Sequence, residues 1–593
     1  MTSSQIIVLA TPVFLLLIGL EFAIGHARGR NTYRLPDAIT SIGLGMLSQI
    51  SAVFTRLLRV GIYTAIFSTV ALFPDARLWD HWTGWLLALL FYDFCYYWHH
   101  RLGHESAVFW AAHVVHHQSE DYNLSTALRQ TSSGALLGWV FYVPMAVVGV
   151  PPLLFAIVAL VDLLYQYWIH TQQIGRLGWF DRVFASPSNH RVHHAVNDAY
   201  LDKNYGGILI LWDRLFGTFT DEDPANPCVY GTRKPLRSWD PMWANLEVYA
   251  ALARDSWRTR HWGDKLRVWF KPPGWQPADL AAAEPAMPFE AARLQRFETP
   301  MVPGLQWFSA LQFLALLGGV ALFLWHAESW PLSRSAVWFG VLLAGLWAVG
   351  AAMQGRLLSL EALVIEAGAL SMAAAADGWR EAHLFFKPAA MVLALLLVAQ
   401  AWRSDRLRGA AALWLGLALA GSLAGDVFLM LEGLFIPGLV AFLLAHLAYI
   451  VLFRQETRWW PVRPVLTGCL GYAVLMVAVL WVGGLPAGLR GPVAVYALVI
   501  SLMAAQALGR ALQLRDTASW LVAAGAIAFV ISDTLLAINR FLTPLPASPV
   551  WVLSTYYAAQ CLIIGGMLRS ERVKRAFQAP NNPPSAAGGA TPR

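Results

Sequence analysis

Residues 84–104 read GWLLALLFYDFCYYWHHRLGH: an apolar run that passes, with no turn residue between, into three histidines. The run from 84 to 98 carries a single carboxylate, Asp93, and reads as a helix buried in an apolar layer. Because nothing breaks it before His104, the same helix is expected to carry its histidines out of that layer. His100 and His104, four residues apart, then share a helical face. Downstream, HVVHH at 113–117 and HRVHH at 190–194 repeat one spacing, with His170 alone between them. His113 with His116 and His117, and His190 with His193 and His194, are each expected to project from one face of a helix. His99 lies outside this spacing and is expected either to support the ligands from behind or to be incidental.

Ten of the sixteen histidines fall between His99 and His194. An isolated histidine is ordinarily a surface or capping residue, but three tight clusters in so short a stretch are not explained that way. Imidazole is the commonest metal ligand among side chains. A tetrahedral zinc takes four ligands and a catalytic zinc three, so His100, His104, His113, His116, His117, His170, His190, His193 and His194 exceed what one ion can use. The count points to two ions. His104-Glu105 opens like the zinc-protease HExxH signature, but position 108 is Val. An all-imidazole site suits Fe, Zn, Ni or Cu, and spacing does not choose among them.

Composition sets the environment. Apolar residues make up 57% of the 593, charged residues 13%, and mean hydropathy is +0.49. Soluble domains carry about 25% charged residues, so the chain is expected to be a polytopic membrane protein. The first apolar run, near 6–25, is followed by Arg28, Arg30 and Arg34. No basic residue precedes it and no cleavage site follows, so it reads as a retained anchor with the N-terminus outside and residue 30 in the cytoplasm. The net charge of +7 comes from cytoplasmic flanks of spans, notably 176–296 and Arg569, Arg572, Lys574 and Arg575, and not from a nucleic-acid surface. Four scattered cysteines form no CxxC pair and indicate neither disulfides nor a thiolate site. The arginine-rich, lysine-poor usage points to a GC-rich bacterial genome, and the expected location is the bacterial inner membrane with the histidine clusters on its cytoplasmic side.

In the first half, apolar segments fall near 6–25, 41–73 (read as two passes), 84–98 and 135–170 (read as a hairpin). Residues 172–304 hold no spanning run, and about ten apolar segments follow from 306 to 568. The expected division is an N-terminal histidine-bearing domain at 1–235, a cytoplasmic connector at 236–305, further transmembrane helices at 306–355, a second membrane domain at 356–570 and a disordered tail at 571–593.

The histidine pattern resembles the fatty acid hydroxylase/sterol desaturase superfamily of membrane di-iron oxygenases. Its HxxxH, HxxHH and HxxHH boxes match at His100/His104, His113/His116/His117 and His190/His193/His194, and its isolated histidine matches at His170. The flanks agree: Asp93-x2-Tyr96-Tyr97-Trp98, Ser119-Glu120-Asp121-Tyr122-Asn123, Asp202-Lys203-Asn204-Tyr205-Gly206-Gly207 and Trp212-Asp213-Arg214-Leu215-Phe216-Gly217-Thr218. The resemblance implies two iron ions, O2, an external electron donor and hydroxylation of an unactivated lipid C–H bond. Residues 235–277, ending in Val268-Trp269-Phe270-Lys271-Pro272-Pro273-Gly274-Trp275, are similar to the alkylglycerol monooxygenase branch. That likeness implies attack on the carbon beside an ether oxygen, tetrahydrobiopterin as reductant, and a role for Glu120 near the metals. A sterol, hopanoid or acyl lipid is the alternative substrate.

In the second half, ionisable residues inside apolar spans are functional hypotheses by default, because burying them in hydrocarbon is costly. Phe386-Lys387-Pro388, Gly425-Asp426, His446-x2-Tyr449, Phe529-x2-Ser532-Asp533-Thr534 and Tyr556-Tyr557-Ala558-Ala559-Gln560 resemble the YhhN/lysoplasmalogenase family. The likeness implies hydrolysis of lysoplasmalogen vinyl ethers. Asp426 and Asp533 are the candidate acid and base, with Lys387 and His446 orienting them. The alternative is that these groups only neutralise one another in a non-catalytic membrane platform. A metal transporter is disfavoured, since the histidines gather at one membrane surface. The expected architecture is therefore all-α and integral to the membrane: a polytopic di-metal oxygenase domain with a cytoplasmic histidine cap, then a multi-helix transmembrane bundle.

Overall fold

The computed structural model describes residues 2–283, 289–407 and 409–578. Its described residues form helices and loops, with no strand and two isolated antiparallel bridges, Phe184 with Leu209 and Ala195 with Tyr230. In chain order the helices of the first part are α1 Ser3–Ala27, α2 Leu35–Arg56, α3 Ile62–Val70, α4 Trp82–Glu105, α5 Ala107–His117, α6 Leu124–Ala127, α7 Gly134–Leu137, α8 Val143–Val148 and α9 Pro152–Trp168. They continue with α10 Pro187–His193, α11 Leu211–Phe216, α12 Pro241–Arg258, α13 Trp262–Phe270, α14 Ala278–Ala283, α15 Pro303–His326 and α16 Leu332–Met353. The second part holds α17 Ser359–Ala376, α18 Arg380–Arg403, α19 Gly409–Met430, α20 Phe435–Arg454, α21 Arg463–Val482, α22 Ala487–Leu514, α23 Thr517–Phe541 and α24 Ser548–Gln578. Twelve of these helices are long and apolar enough to cross a membrane. The chain is a multi-pass integral membrane protein.

Two compact units emerge, one of residues 1–335 and 345–357, the other of 336–344 and 358–593. In the first unit the apolar stretch 41–73 is not two passes. A π turn, Leu57–Gly61, joins α2 to α3 without reversing the chain. Residues 47–60 contain neither Pro nor Gly, and a π turn absorbs an extra residue while the helix continues. The 135–170 hairpin is present, but its arms are short. The α9 arm has 17 residues, about 26 Å at 1.5 Å per residue, against a hydrocarbon core of about 30 Å. Its bend is made by Gly149 (φ 104°) and Pro151, and Tyr63 donates to the Val150 carbonyl at 2.8 Å. Helix α4 runs unbroken from its apolar start through His104, so one continuous element joins that apolar stretch to the histidines.

In the second unit α17 packs on α18 and α24, α19 on α18 and α20, α22 on α20, α21 and α23, and α23 on α24. Gly425 on α19 lets the Phe442 ring of α20 approach so closely that a Cβ there would lie 2.5 Å from it. That approach packs α20 closely on α19 at the residue before Asp426. Helix α24 continues to Gln578, past the expected end at 570. The remainder of the expected tail, from 579, lies outside the described residues.

Candidate metal centre

The nine histidines converge into two groups. His100, His104, His113, His117 and His193 form one, and His116, His170, His190 and His194 the other; within each, the candidate ligand atoms lie within 4.8 Å of one another. Neither HxxHH box therefore presents a single ligand face, and that expectation is corrected. Successive helical residues are about 100° apart at 3.6 per turn, whereas residues i and i+4 nearly eclipse. His113 and His117 point to the first group and His116, between them, to the second. The third box does the reverse: His190 and His194 enter the second group and His193 the first. Each box thus straddles both positions, and the two boxes are related by exchange.

The ring nitrogens have settled roles. His100 Nδ1 donates to the Tyr205 carbonyl at 2.8 Å, His116 to Arg129 at 3.0 Å, His170 to Gln166 at 2.7 Å and His193 to Lys203 at 3.0 Å. A proton on Nδ1 of a neutral ring leaves Nε2 with a bare lone pair. His116 Nε2 and His170 Nε2 lie 3.1 Å apart, both so bared. Two lone pairs facing at that distance repel unless a cation sits among them. His104 Nε2 and His193 Nε2 are buried with no protein partner. Burial holds His113, His117, His170, His190, His193 and His194 well below the ordinary imidazole range and pulls His116 down to about 4. Neutral imidazoles, four of them fixed through the far nitrogen, are what a transition-metal site requires. The donor set fits two metal ions.

The carbonyls that orient these rings explain the flanking motifs. Asp202 and Asn204 adopt left-handed backbone (φ 57° and 59°). This turn presents Lys203 O to His193 and Tyr205 O to His100. Asn204 pins it by donating to Asn189 O and Thr220 O, and Asp213 accepts from the amides of Tyr205 and Gly206, both at 2.7 Å. Gly207 is obligatory in size. A Cβ there would lie 2.7 Å from Asp162 Oδ1 and 3.0 Å from Asp93 Oδ1. Asp93, before box one, accepts from Ile208 N, Leu209 N and Trp212 Nε1, so it ties α4 to this same turn.

Arg191, inside box three, is buried and belongs to neither histidine group. Its Nε and Nη2 hold the Glu222 carboxylate at 2.8 and 2.7 Å, and Nη1 donates to Thr171 O and Ile174 O, clamping the loop that carries His170. Burial pushes the Glu222 carboxyl up, but the Arg191 bonds outweigh it and hold the group below its ordinary 4.5. Stability from this pair is therefore complete above about pH 4.5 and is lost as pH falls through the lowered value. Glu222→Gln should cost about 2–3 kcal/mol, less than a fully buried pair because Glu222 is 21% exposed. A fall in melting temperature that persists at neutral pH and narrows on acidification checks this.

Glu120 belongs to neither histidine group. It lies three residues beyond His117, after α5 has ended; its carboxylate accepts from Phe297 N at 2.6 Å and faces Arg34 at 3.7 Å. His99 packs on Phe141, ring centroids 4.9 Å apart, and is no member of either group, as expected.

In the second unit the four expected residues meet in two pairs, each completed by a tyrosine. Lys387 Nζ lies 3.2 Å from Asp426 Oδ1, and Tyr556 donates to Asp426 Oδ2 at 2.5 Å. His446 Nε2 donates to Tyr496 Oη at 2.9 Å, and Tyr496 donates to Asp533 Oδ2. Phe529 separates the pairs, its ring 4.7 Å from His446 and 5.6 Å from Tyr556. Sequence reading missed Tyr496, which stands in an ordinary apolar run and carries no local signal. His446 Nδ1 is buried without a partner, and Asp533, with an 18% exposed side chain, is the more accessible carboxylate.

Comparison with known proteins agrees with this division. The fatty acid hydroxylase family model matches residues 85–218 and the YhhN family model residues 382–567. Alkylglycerol monooxygenase of Homo sapiens is 42% identical over 269 residues, which is 45% of this chain and 59% of that protein. The Xenopus tropicalis alkylglycerol monooxygenase is 38% identical over 313 residues, 52% of this chain and 68% of that protein. Lysoplasmalogenase TMEM86B of Homo sapiens is 36% identical over 153 residues, 26% of this chain and 62% of that protein. The chain thus spans somewhat under two thirds of each human relative. No solved structure matches significantly.

Proposed function

The chain belongs to the alkylglycerol monooxygenase family, within the fatty acid hydroxylases, and carries a YhhN-family domain behind it; from that premise we propose that it is a membrane enzyme of ether-lipid breakdown with two active sites. The observation that carries the reading is the paired histidine centre with its fixed Nδ1 donors at the end of a helix rising from the apolar layer. The first site hydroxylates the ether-adjacent carbon of an alkylglycerol lipid. Two iron ions, when bound, supply the reduction of O2 and the insertion of one oxygen atom into that C–H bond. Two electrons and two protons take the other oxygen atom to water, and the electrons come from an external donor such as tetrahydrobiopterin. The product hemiacetal collapses to a fatty aldehyde and a free glycerol hydroxyl.

The protein's part is positional. His100, His104, His113, His117 and His193 would hold one ion and His116, His170, His190 and His194 the other, while the backbone turn at 202–207 and the Arg191 clamp keep the rings aimed. Glu120 acts beside the centre as a positioning residue, tying the turn after box two to Phe297. The exposed Trp82, Trp85, Leu86 and Leu90 line the start of α4, whose far end carries His100. A lipid chain lying along that helix would bring its polar end to the histidines.

We place the centre on the cytoplasmic side. Arg28 donates to Gln173 O and Gln173 donates to Arg30 O, so the basic end of α1 lies beside the His170 loop. The positive-inside rule assigns that end to the cytoplasm.

The second site would hydrolyse a lysoplasmalogen vinyl ether: a proton adds to the outer vinyl carbon, water attacks the oxygen-bearing carbon, and the hemiacetal breaks down to aldehyde. Asp533, the accessible carboxylate, handles the proton, with Tyr496 and His446 orienting it. Asp426, paired with Lys387, stabilises the cationic intermediate. The test is metal analysis of the purified protein together with O2 uptake on an alkylglycerol, with and without tetrahydrobiopterin. About two irons per chain and pterin-dependent uptake are expected; a zinc-loaded protein that consumes no O2 would refute the oxygenase reading.

A further inference from the structure

Between the two stretches of membrane-spanning helices, α12 and α13 carry an apolar face that the fold leaves uncovered. On α12, Trp243, Leu246, Ala250, Ala253 and Trp257 are all exposed and recur every three or four residues, forming one stripe along the helix. On α13, Trp262, Leu266 and Phe270 recur every four and are 82%, 69% and 67% exposed. Neither helix is apolar enough to cross a membrane. The opposite sides are docked: Ala244 is buried in a cluster with Leu44, Val115 and Leu236, and Val268 is buried on α13. Both helices pack on α5, the helix of box two, and Lys271 O accepts from Ala107 N at its first residue.

The rim of the stripe is basic. Arg254, Arg258, Arg260, Arg267 and Lys271 accompany Glu247, Asp255 and Asp264, and the side chains of Arg254 and Arg267 are 65% exposed. Lys265 caps α12, donating to the carbonyls of Ser256, Trp257 and Thr259, and so holds the two helices as one bent element. A helix with one apolar, tryptophan-bearing face and a basic border suits the headgroup plane of a bilayer, with cations at anionic lipids and rings at the acyl boundary. Water is the costly alternative, since each exposed Leu, Phe or Trp side chain forgoes the free energy of removing its apolar surface from solvent.

We propose that the α12–α13 element lies in the headgroup layer of an anionic membrane and sets the depth of α5, and with it of the histidine centre, below the lipid surface. The occupant of the stripe is lipid and not a second protein, because the basic border matches anionic headgroups and tryptophans mark the ends of the stripe. The inference concerns placement and stands apart from which lipid is oxidised.

The test uses the full chain with the photo-cross-linking residue p-benzoylphenylalanine in place of Trp257, Leu266 or Phe270. All three positions are exposed, so the replacements fit. The protein is reconstituted into phosphatidylcholine vesicles with or without phosphatidylglycerol and irradiated, and adducts are read by mass spectrometry. Lipid adducts at all three positions are expected, rising roughly threefold or more with phosphatidylglycerol as polybasic segments gather anionic lipid. Adducts to a second copy of the chain, no lipid adduct at any position, or equal yields in the two vesicle types would each overturn the proposal.

Discussion

Replacing His193 with alanine is expected to abolish alkyl-ether oxidation while leaving lysoplasmalogen hydrolysis intact. His193 is the single contribution of box three to the first histidine group; its Nε2 has no protein partner, and Lys203 O fixes its ring. Its loss removes one of five ligands from that group and leaves all four of the other in place. Disturbing groups around a metal ligand already costs roughly 10–100-fold in affinity or activity, so loss of the ligand itself should cost at least about a hundredfold. Iron content should fall from two equivalents toward one. The same swap at His190 should deplete the other ion, although both residues belong to one box. Loss of both activities in a folded His193→Ala protein would defeat the idea of independent sites.

The mirror experiment is Asp533→Asn. Asparagine keeps the shape and can still accept from Tyr496, but it cannot take up or release a proton at this pH. General acid–base groups contribute typically 10²–10⁴-fold, so vinyl-ether hydrolysis should fall by about that factor with ether oxidation unchanged. Tyr496→Phe separates positioning from catalysis. It removes the bridge between His446 and Asp533 without touching the carboxylate, so a smaller loss and a displaced pH profile are expected. Unchanged hydrolysis in Asp533→Asn would leave Asp426 as the acid or make the second unit a non-catalytic platform.

On the proposed reading the two sites have a chemical reason to share a chain: each route would pass through a hemiacetal to a fatty aldehyde, one by oxidising an alkyl ether and the other by hydrating a vinyl ether.

Much of the first site was legible because its signal is local. The nine histidines declare themselves by residue type and by spacings of three and four, and α4 emerges from an unbroken apolar run with histidines at its end. The single face expected of each HxxHH box was not what formed, because spacing says which residues are near and helical phase says where each points. The orienting groups Tyr205 O, Lys203 O, Arg129 O and Gln166 O are backbone acceptors and have no side-chain signature. Arg191 and Glu222 look like ordinary charges until the loop carrying His170 is folded against them. In the second unit Asp426, Asp533, Lys387 and His446 stood out as ionisable groups in apolar spans. Tyr496 did not, since a tyrosine in an apolar helix is common.

By itself, then, the sequence determined the class of protein and singled out the nine histidines that come together. These follow from composition, from residue chemistry and from the short-range geometry of a helix, none of which needs a partner element. Only the tertiary structure decided that each HxxHH box contributes to both histidine groups, that two tyrosines complete the carboxylate pairs, and that Glu120 is engaged with Phe297 and Arg34. Those facts depend on the rotation and approach of helices distant in sequence, which packing sets and local spacing does not encode.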